Sequence, residues 1–245
     1  MISNRAKTCD GLAGTGLRQS RAEWAARNRT LAQGMSELIA RFAPLGAETA
    51  IDVGCQGGDI TDAVAERTSL DWVGVDPSLE QLTSSPGRHR LLPGSADSLA
   101  FPEQSFGVVL LANVYEHILP DRRRASLEEL ARVLVPSGVV VGQLPNPYFP
   151  IESHSRLPFM GWLPTRLQHA YWRLAPVPWE HDFFVVTVSE LLALATDVGF
   201  EPVLVRNFNY PLDVIPSSVR WLARMLRAPM RRLPWAWQFV LRKPA

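Results

Sequence analysis

Between residues 49 and 144 the chain alternates short apolar runs with helical patterns. The runs are "TAIDVG" (49–54), "DWVGV" (71–75), "HRLLP" (89–93), "SFGVVLLAN" (105–113) and "GVVVGQL" (138–144). None alternates strictly between apolar and polar positions, so they predict strands buried on both faces. Between them lie "DITDAVAERT" and "RRRASLEELARVLV". In the latter Leu127, Leu130, Ala131 and Leu134 share one face, and Glu128 and Arg132 are spaced for an ion pair across one turn. Upstream, Trp24, Leu31, Met35, Leu38, Ile39 and Phe42 recur at helical spacing over about 20–43, and Pro44 and Gly46 end that helix. Strands separated by helices predict an α/β domain with a doubly wound, mostly parallel sheet.

At residue 145 the pattern breaks. Pro145, Pro147, Pro150, Pro158, Pro164, Pro176 and Pro178 interrupt any long helix or central strand. The interleaved aromatics Tyr148, Phe149, Phe159, Trp162, Tyr171, Trp172 and Trp179 need burial, so residues 145–187 are expected to form a cap over the sheet, with these rings mostly filling its interior. "SELLALATDVGF" (189–200) returns as a helix with Ser189 as N-cap and Gly199 as stop, and "EPVLVRN" (201–207) as a last strand near the sheet edge. This gives a mobile arm (1–18), a domain (19–207) containing the cap, and a C-terminal extension (208–245). From Val214 onward that extension has no acid, but Arg220, Arg224, Arg227, Arg231, Arg232, Arg242 and Lys243 interleave with Trp221, Met225, Trp235, Trp237 and Phe239. Two readings stay open for it: contact with an anionic membrane surface, or a helix packed on the cap.

Composition narrows the picture. The 245 residues are 47% hydrophobic and 20% charged with net charge +1, so nothing favours nucleic acid as a partner. Cys9 and Cys55 make no disulfide framework and lack metal-ligand spacing with a histidine, so no metal site is expected. With no apolar leader and no run long enough to cross a bilayer, a cytoplasmic protein is expected, possible membrane contact being peripheral and on the inner face.

The candidate chemistry begins at "AIDVGCQGGDIT". A strand ending at Gly54, followed by Cys55, Gln56, Gly57 and Gly58 before a helix, builds a turn a ligand approaches closely. Asp52 is an acid within the apolar strand, a costly place for a charge without a partner. Asp76 closes the second strand, placed to accept both hydroxyls of a ribose, its competing role being the N-cap of a helix opened by Pro77. Asp97, before the fourth strand, is a candidate acceptor for an adenine amine, with a solvated loop position as the alternative. These features fit an adenosine-containing cofactor, and a nicotinamide dehydrogenase satisfies them too. "GLAGTG" (11–16) looks like a phosphate loop but follows no strand.

The ordered set formed by the glycine turn, Asp76, "GSADSLAFPEQSFGVVLLANVYEHI" and "LARVLVPSGVVVGQLPN" resembles class I S-adenosylmethionine-dependent methyltransferases, specifically the type 11 subgroup, over about residues 48–207. The resemblance implies a Rossmann-like seven-stranded sheet, S-adenosyl-L-methionine as cofactor and S-adenosyl-L-homocysteine as product. It implies that Asp52, Gly54 and Gly57 shape the loop under the methionine moiety and that Asp76 holds the ribose beside Ser78 and Leu79. It further implies that Ala96, Asp97 and Ser98 flank the adenine and that Asn113 lies near the amino or sulfonium end. The family's first motif usually reads D-x-G-x-G-x-G, and Gln56 stands here for its middle glycine.

For the acceptor side, His154 is the first candidate and His181 the second, as general base or acceptor-orienting group. His117, Glu152, Glu180 and Asp182 are near them in the sequence, with His117 read mainly as a packing residue. The expected reaction is methylation, oxygen preferred, of a small-molecule, sugar or lipid-linked acceptor. A nicotinamide-dependent oxidoreductase and a non-catalytic binding or scaffold protein of the same fold are the alternatives.

Overall fold

The computed structural model describes residues 21–83, 89–155, 157–175, 181–211, 220–225 and 233–245. The expected mobile arm, "GLAGTG", Cys9, Trp179, Glu180, Arg227, Arg231 and Arg232 lie outside the described residues.

The chain runs α1 (Arg21–Phe42), β1 (Thr49–Val53), α2 (Asp59–Ala65), β2 (Asp71–Asp76), α3 (Leu79–Thr83), β3 (Arg90–Pro93) and β4 (Phe106–Ala112). It continues with α4 (Arg123–Val133), β5 (Leu134–Pro145), α5 (Thr165–Leu174), α6 (Val188–Val198), β6 (Glu201–Phe208), α7 (Arg220–Met225) and β7 (Ala236–Arg242). Among the described residues the strands form one seven-stranded sheet in the order β3-β2-β1-β4-β5-β7-β6. The first five are parallel, while β7 runs antiparallel to both β5 and β6. The expected doubly wound, mostly parallel sheet is present. Its strand order reverses at β1 and β4, the place where such sheets bind ligands beyond the carboxyl ends of their strands.

Each face of the sheet carries its own core. On one, Ile51, Val109, Val140 and Phe239 pack with Leu127 and Leu130 of α4 and Leu191 of α6. On the other, Val108, Leu110 and Val141 pack with Leu31, Met35 and Leu38 of α1 and Val64 of α2.

Several expectations are corrected. The last strand is not 201–207: β6 is the sheet edge, and β7 inserts between it and β5. Residues 236–242 therefore belong to the sheet and not to an extension beginning at 208. Phe239 is fully buried, and Gly142 opposite lacks a Cβ that would sit 2.2 Å from the Phe239 ring. Burial of Phe239, Val240 and Leu241 removes this run from any membrane-facing surface, leaving Trp221 and Met225 of α7 as the exposed large apolar side chains of the described tail. Arg220 of that helix lies 3.3 Å from Glu23 of α1.

Helix ends and ion pairs also differ. The N-cap of α6 is Thr187, not Ser189: its hydroxyl accepts the Glu190 N–H while the Glu190 carboxylate accepts the Thr187 N–H, a reciprocal capping box. Gly199 stops the helix in the left-handed region, as expected. Glu128 pairs with Arg124 rather than Arg132, because Arg132 turns to Glu129 at 2.8 Å and to the carbonyls of Leu99 and Phe101. In the cap, Met160, Trp172 and Phe183 form a small core of their own and Phe149 is buried, but Tyr148, Phe159 and Trp162 are about half exposed.

Candidate functional site

The turn after β1 is built from left-handed backbone at alternate residues: Gly54 at φ +79°, Gln56 at +50° and Gly58 at +83°. Gly58, rather than Gly57, takes the strained position and N-caps α2. A Cβ at Gly54 would lie 2.5 Å from Val114 Cγ2, so glycine is required there by both space and conformation. Gln56 fills the middle position of the motif by adopting a conformation that costs a non-glycine residue strain.

That strain is met by Asp76. Its Oδ2 accepts the Gln56 N–H at 2.9 Å and its Oδ1 accepts the Ser78 N–H at 2.8 Å. A carboxylate has two lone pairs on each oxygen, which suits it to two neighbouring hydroxyls. Ser78 also presents its hydroxyl to the Gln81 N–H, and Leu79 is exposed. Asp52 plays a different part. Fully buried, it accepts the Thr61 hydroxyl at 2.6 Å and so ties β1 to α2 under the turn. Burial pushes its carboxyl up to about 7, the Thr61 hydrogen bond opposing this and the Asp76 charge adding to it. Cys55 is buried, and desolvation with the nearby Asp52 and Asp76 charges raises its thiol well above the usual range.

After β3, Asp97 accepts from the Ser95 hydroxyl and from Arg122 Nη1 at 3.1 Å, and the Ser95 bond holds its carboxyl below the usual range. Much of its acceptor capacity is thus committed to the chain itself. Ala96 packs into the core beside it and Ser98 is exposed. Asn113 directly follows β4, at φ +57°. Its N–H donates to the Gln143 carbonyl, and its Oδ1 accepts from Gln143 Nε2 at 3.1 Å. Gln143 also donates to Tyr210 Oη and accepts from Gln238, which in turn accepts from Arg206. This buried polar chain across β5, β7 and β6 was not anticipated, since glutamines inside apolar runs leave no spacing signal.

Beyond Asn113 the chain forms a 3₁₀ turn, Tyr115–His117, against which the cap lies: the Phe184 N–H donates to the Glu116 carbonyl. His117 Nδ1 is 3.0 Å from the Asp182 carbonyl, and its Nε2 is 3.2 Å from His154 Nε2. His154 Nδ1 is 2.7 Å from Glu152 Oε1, and its Nε2 is 3.4 Å from Glu116 Oε1. Burial alone would lower the His154 pKa, but the Glu152 and Glu116 carboxylates outweigh it and raise it to about 9. The structure therefore joins His154 to His117, which the sequence had marked as a packing residue, and to Glu116, which it had not marked at all. His181 is placed elsewhere in the cap, between the exposed His169 ring and the buried Trp172 and Phe183 rings, and burial and His169 lower its pKa. Phe183 separates the two, stacking on His154 at 4.9 Å.

Residues 51–142 match the family model described as "Methyltransferase domain". The chain is 35% identical over 117 residues to a trans-aconitate 2-methyltransferase of Azoarcus sp. (strain BH72), a match covering 46% of this chain and 45% of that protein. It is 37% identical over 106 residues to a demethylmenaquinone methyltransferase of Bacillus licheniformis, covering 40% and 44%. The matched segments thus span less than half the length of these relatives. In fold it is similar to a crystal structure of a SAM-dependent methyltransferase from Archaeoglobus fulgidus (TM-score 0.60, 16% identity, 88% of this chain and 94% of that one). Over residues 51–142 the chain is therefore similar to methyltransferase domains, and its seven-stranded sheet is the fold of the S-adenosylmethionine-dependent methyltransferases among the solved structures.

Proposed function

We propose that this chain transfers a methyl group from S-adenosyl-L-methionine to an oxygen of a small-molecule, sugar or lipid-linked acceptor held between the 115–117 turn and the cap. The observation that carries the reading is the contact of Gly54 with Val114. It brings the glycine turn directly against the segment leading to the His117–His154 pair, so a cofactor on the turn and an acceptor beside the pair would be neighbours.

The residues fit the cofactor. Gly54 has no Cβ to obstruct the turn, and the Asp76 carboxylate, beside Ser78, is an acceptor of the kind a ribose diol needs. Ala96, Asp97 and Ser98 would border the adenine, Asp97 accepting from its amine alongside Ser95 and Arg122. Asn113 would face the methionine end, with Asp52 supporting the loop from beneath. The bound cofactor supplies a sulfonium methyl as the electrophile. What remains for the chain is alignment: an in-line displacement gains most from fixing the acceptor oxygen near the methyl carbon and excluding water. His154 serves here as an orienting group rather than a base, because its two carboxylates keep it charged through neutral pH. One relative is named for trans-aconitate and one for demethylmenaquinone, which supports a small-molecule acceptor.

Calorimetry with S-adenosyl-L-homocysteine and with a nicotinamide dinucleotide tests the reading. Saturable binding of the former and none of the latter is expected, and the reverse result replaces the methyltransferase with an oxidoreductase. Binding of the homocysteine product without turnover of any acceptor panel, while a partner enzyme depends on the chain, would instead favour a scaffold.

A further inference from the structure

The 115–117 turn and the cap meet around the buried carboxylate of Glu116. Glu116 is 96% buried by side-chain and backbone contacts (4% exposed), and neither of its carboxylate oxygens accepts a hydrogen bond. A buried carboxylate left in that state is costly.

The two histidines beside it are oriented by their outer nitrogens. A carbonyl oxygen only accepts, so His117 Nδ1, 3.0 Å from the Asp182 carbonyl, carries its proton there. His154 Nδ1 donates to the Glu152 carboxylate in the same way. The two Nε2 atoms face each other at 3.2 Å, with Glu116 Oε1 3.4 Å from His154 Nε2, and both carry lone pairs once a metal ion displaces the proton that the carboxylates favour on His154 Nε2. Three potential metal ligands thus lie side by side. A proton on His154 Nε2 faces both His117 Nε2 and Glu116 Oε1 but not Glu116 Oε2, whereas a divalent cation in its place engages all three residues.

We infer that Glu116, His117 and His154 form a binding site for one divalent transition-metal ion, Zn²⁺ matching the geometry best. The donor atoms all lie within 4.8 Å of one another. Zinc bonds of the usual length set tetrahedral ligands about 3.3–3.4 Å apart, which matches the two close pairs. Two imidazoles and one carboxylate suit a transition metal over magnesium or calcium. Glu152 and the Asp182 carbonyl already occupy the places of the outer partners that metal-bound histidines require. His117 and His154 keep 25% and 16% of their side-chain surface exposed, so a fourth ligand, water or an acceptor oxygen, has access. The ion would clasp the cap to the end of β4 across 37 residues of sequence. The inference rests on these side chains and does not depend on the methyl-transfer reading.

The test uses the full chain, freed of any affinity tag and stripped with a chelator. Zn²⁺ is titrated by calorimetry and Co²⁺ by its visible absorption, which reports ligand number and geometry. One ion per chain is expected, with a tetrahedral or five-coordinate Co²⁺ spectrum. Glu116→Gln, which is nearly isosteric, and His154→Gln should each weaken binding more than tenfold, and Glu152→Gln by about 10- to 100-fold through its outer-partner role. His169→Gln, in the exposed part of the cap, should leave it unchanged. Far-UV circular dichroism and S-adenosyl-L-homocysteine binding on the same variants show that the fold and cofactor cradle persist. Absence of saturable Zn²⁺ binding, or binding that Glu116→Gln and His154→Gln leave within threefold of the parent, overturns the site.

Discussion

Asp76 Oδ2 accepts the backbone N–H of Gln56 at 2.9 Å, so the residue that closes β2 also fixes the strained turn that closes β1. The two strands lie side by side in register, Val53 against Val75, which brings the carboxylate and the turn together without a long side chain. Asp76→Asn must turn an amide N–H toward one of the two backbone donors it now faces. Loss of a charge-assisted hydrogen bond, with a donor facing a donor, is worth about 1.5–3 kcal/mol. S-adenosyl-L-homocysteine affinity is therefore expected to fall by at least about tenfold, measured by calorimetry, with thermal stability reduced as well. Unchanged affinity would remove Asp76 from the cradle.

Gly54→Ala tests the contact between the cradle and the acceptor side. The new methyl would sit 2.5 Å from Val114 Cγ2 at a φ of +79°. Left-handed strain at a non-glycine residue costs on the order of 1–3 kcal/mol, before any clash. Adding Val114→Ala relieves the clash but not the strain, so the double variant should recover part of the lost stability in urea unfolding. Full recovery would mean that backbone conformation at Gly54 contributes nothing.

Deleting residues 233–245 is expected to abolish cooperative unfolding altogether, because it removes β7 from between β5 and β6 and exposes Gly142 and its neighbours. A freely detachable tail would leave the thermal transition intact. Near-UV circular dichroism of the shortened chain distinguishes the two.

The sheet and its glycine turn were legible because their causes are local. Continuous apolar runs such as "FGVVLLA" state that both faces are covered, and glycines after a strand state that the backbone turns sharply. The seventh strand was not legible, since "AWQFVLR" follows an arginine-rich stretch and its pairing to β5 and β6 is a tertiary fact. A short apolar run does not declare its own period. Thr187 and Ser189 both precede the apolar helix face, and only the backbone distinguishes which of them is the N-cap. The histidine cluster divides the same way. His154 and Glu152 were visible as a polar group in the cap, but the turn that carries Glu116 and His117 meets them only after an insertion folds back. Nothing in the spacing of residues 116, 117 and 154 announces a shared site.

Asp52 makes stability depend on pH in a direction opposite to that of most carboxylates. Its folded pKa is raised to about 7 from 3.8, chiefly by burial, so between those values the folded chain holds a proton that the unfolded chain has released. Stability then falls as pH rises through this window, and levels off above the folded value. The loss between pH 5 and pH 8 attributable to this group is on the order of 2–3 kcal/mol. Asp52→Asn keeps an oxygen for the Thr61 hydroxyl but carries no titrating proton, so its stability relative to the parent should improve over the same interval. Urea unfolding of both proteins at several pH values between 5 and 8 measures the difference. A parent and variant whose stabilities run parallel across that range would place the Asp52 carboxyl at its ordinary pKa and remove burial as the dominant influence on it. Thr61→Val, by deleting the hydrogen bond that favours the charged form, should move the descent to higher pH, which identifies Asp52 as the titrating group.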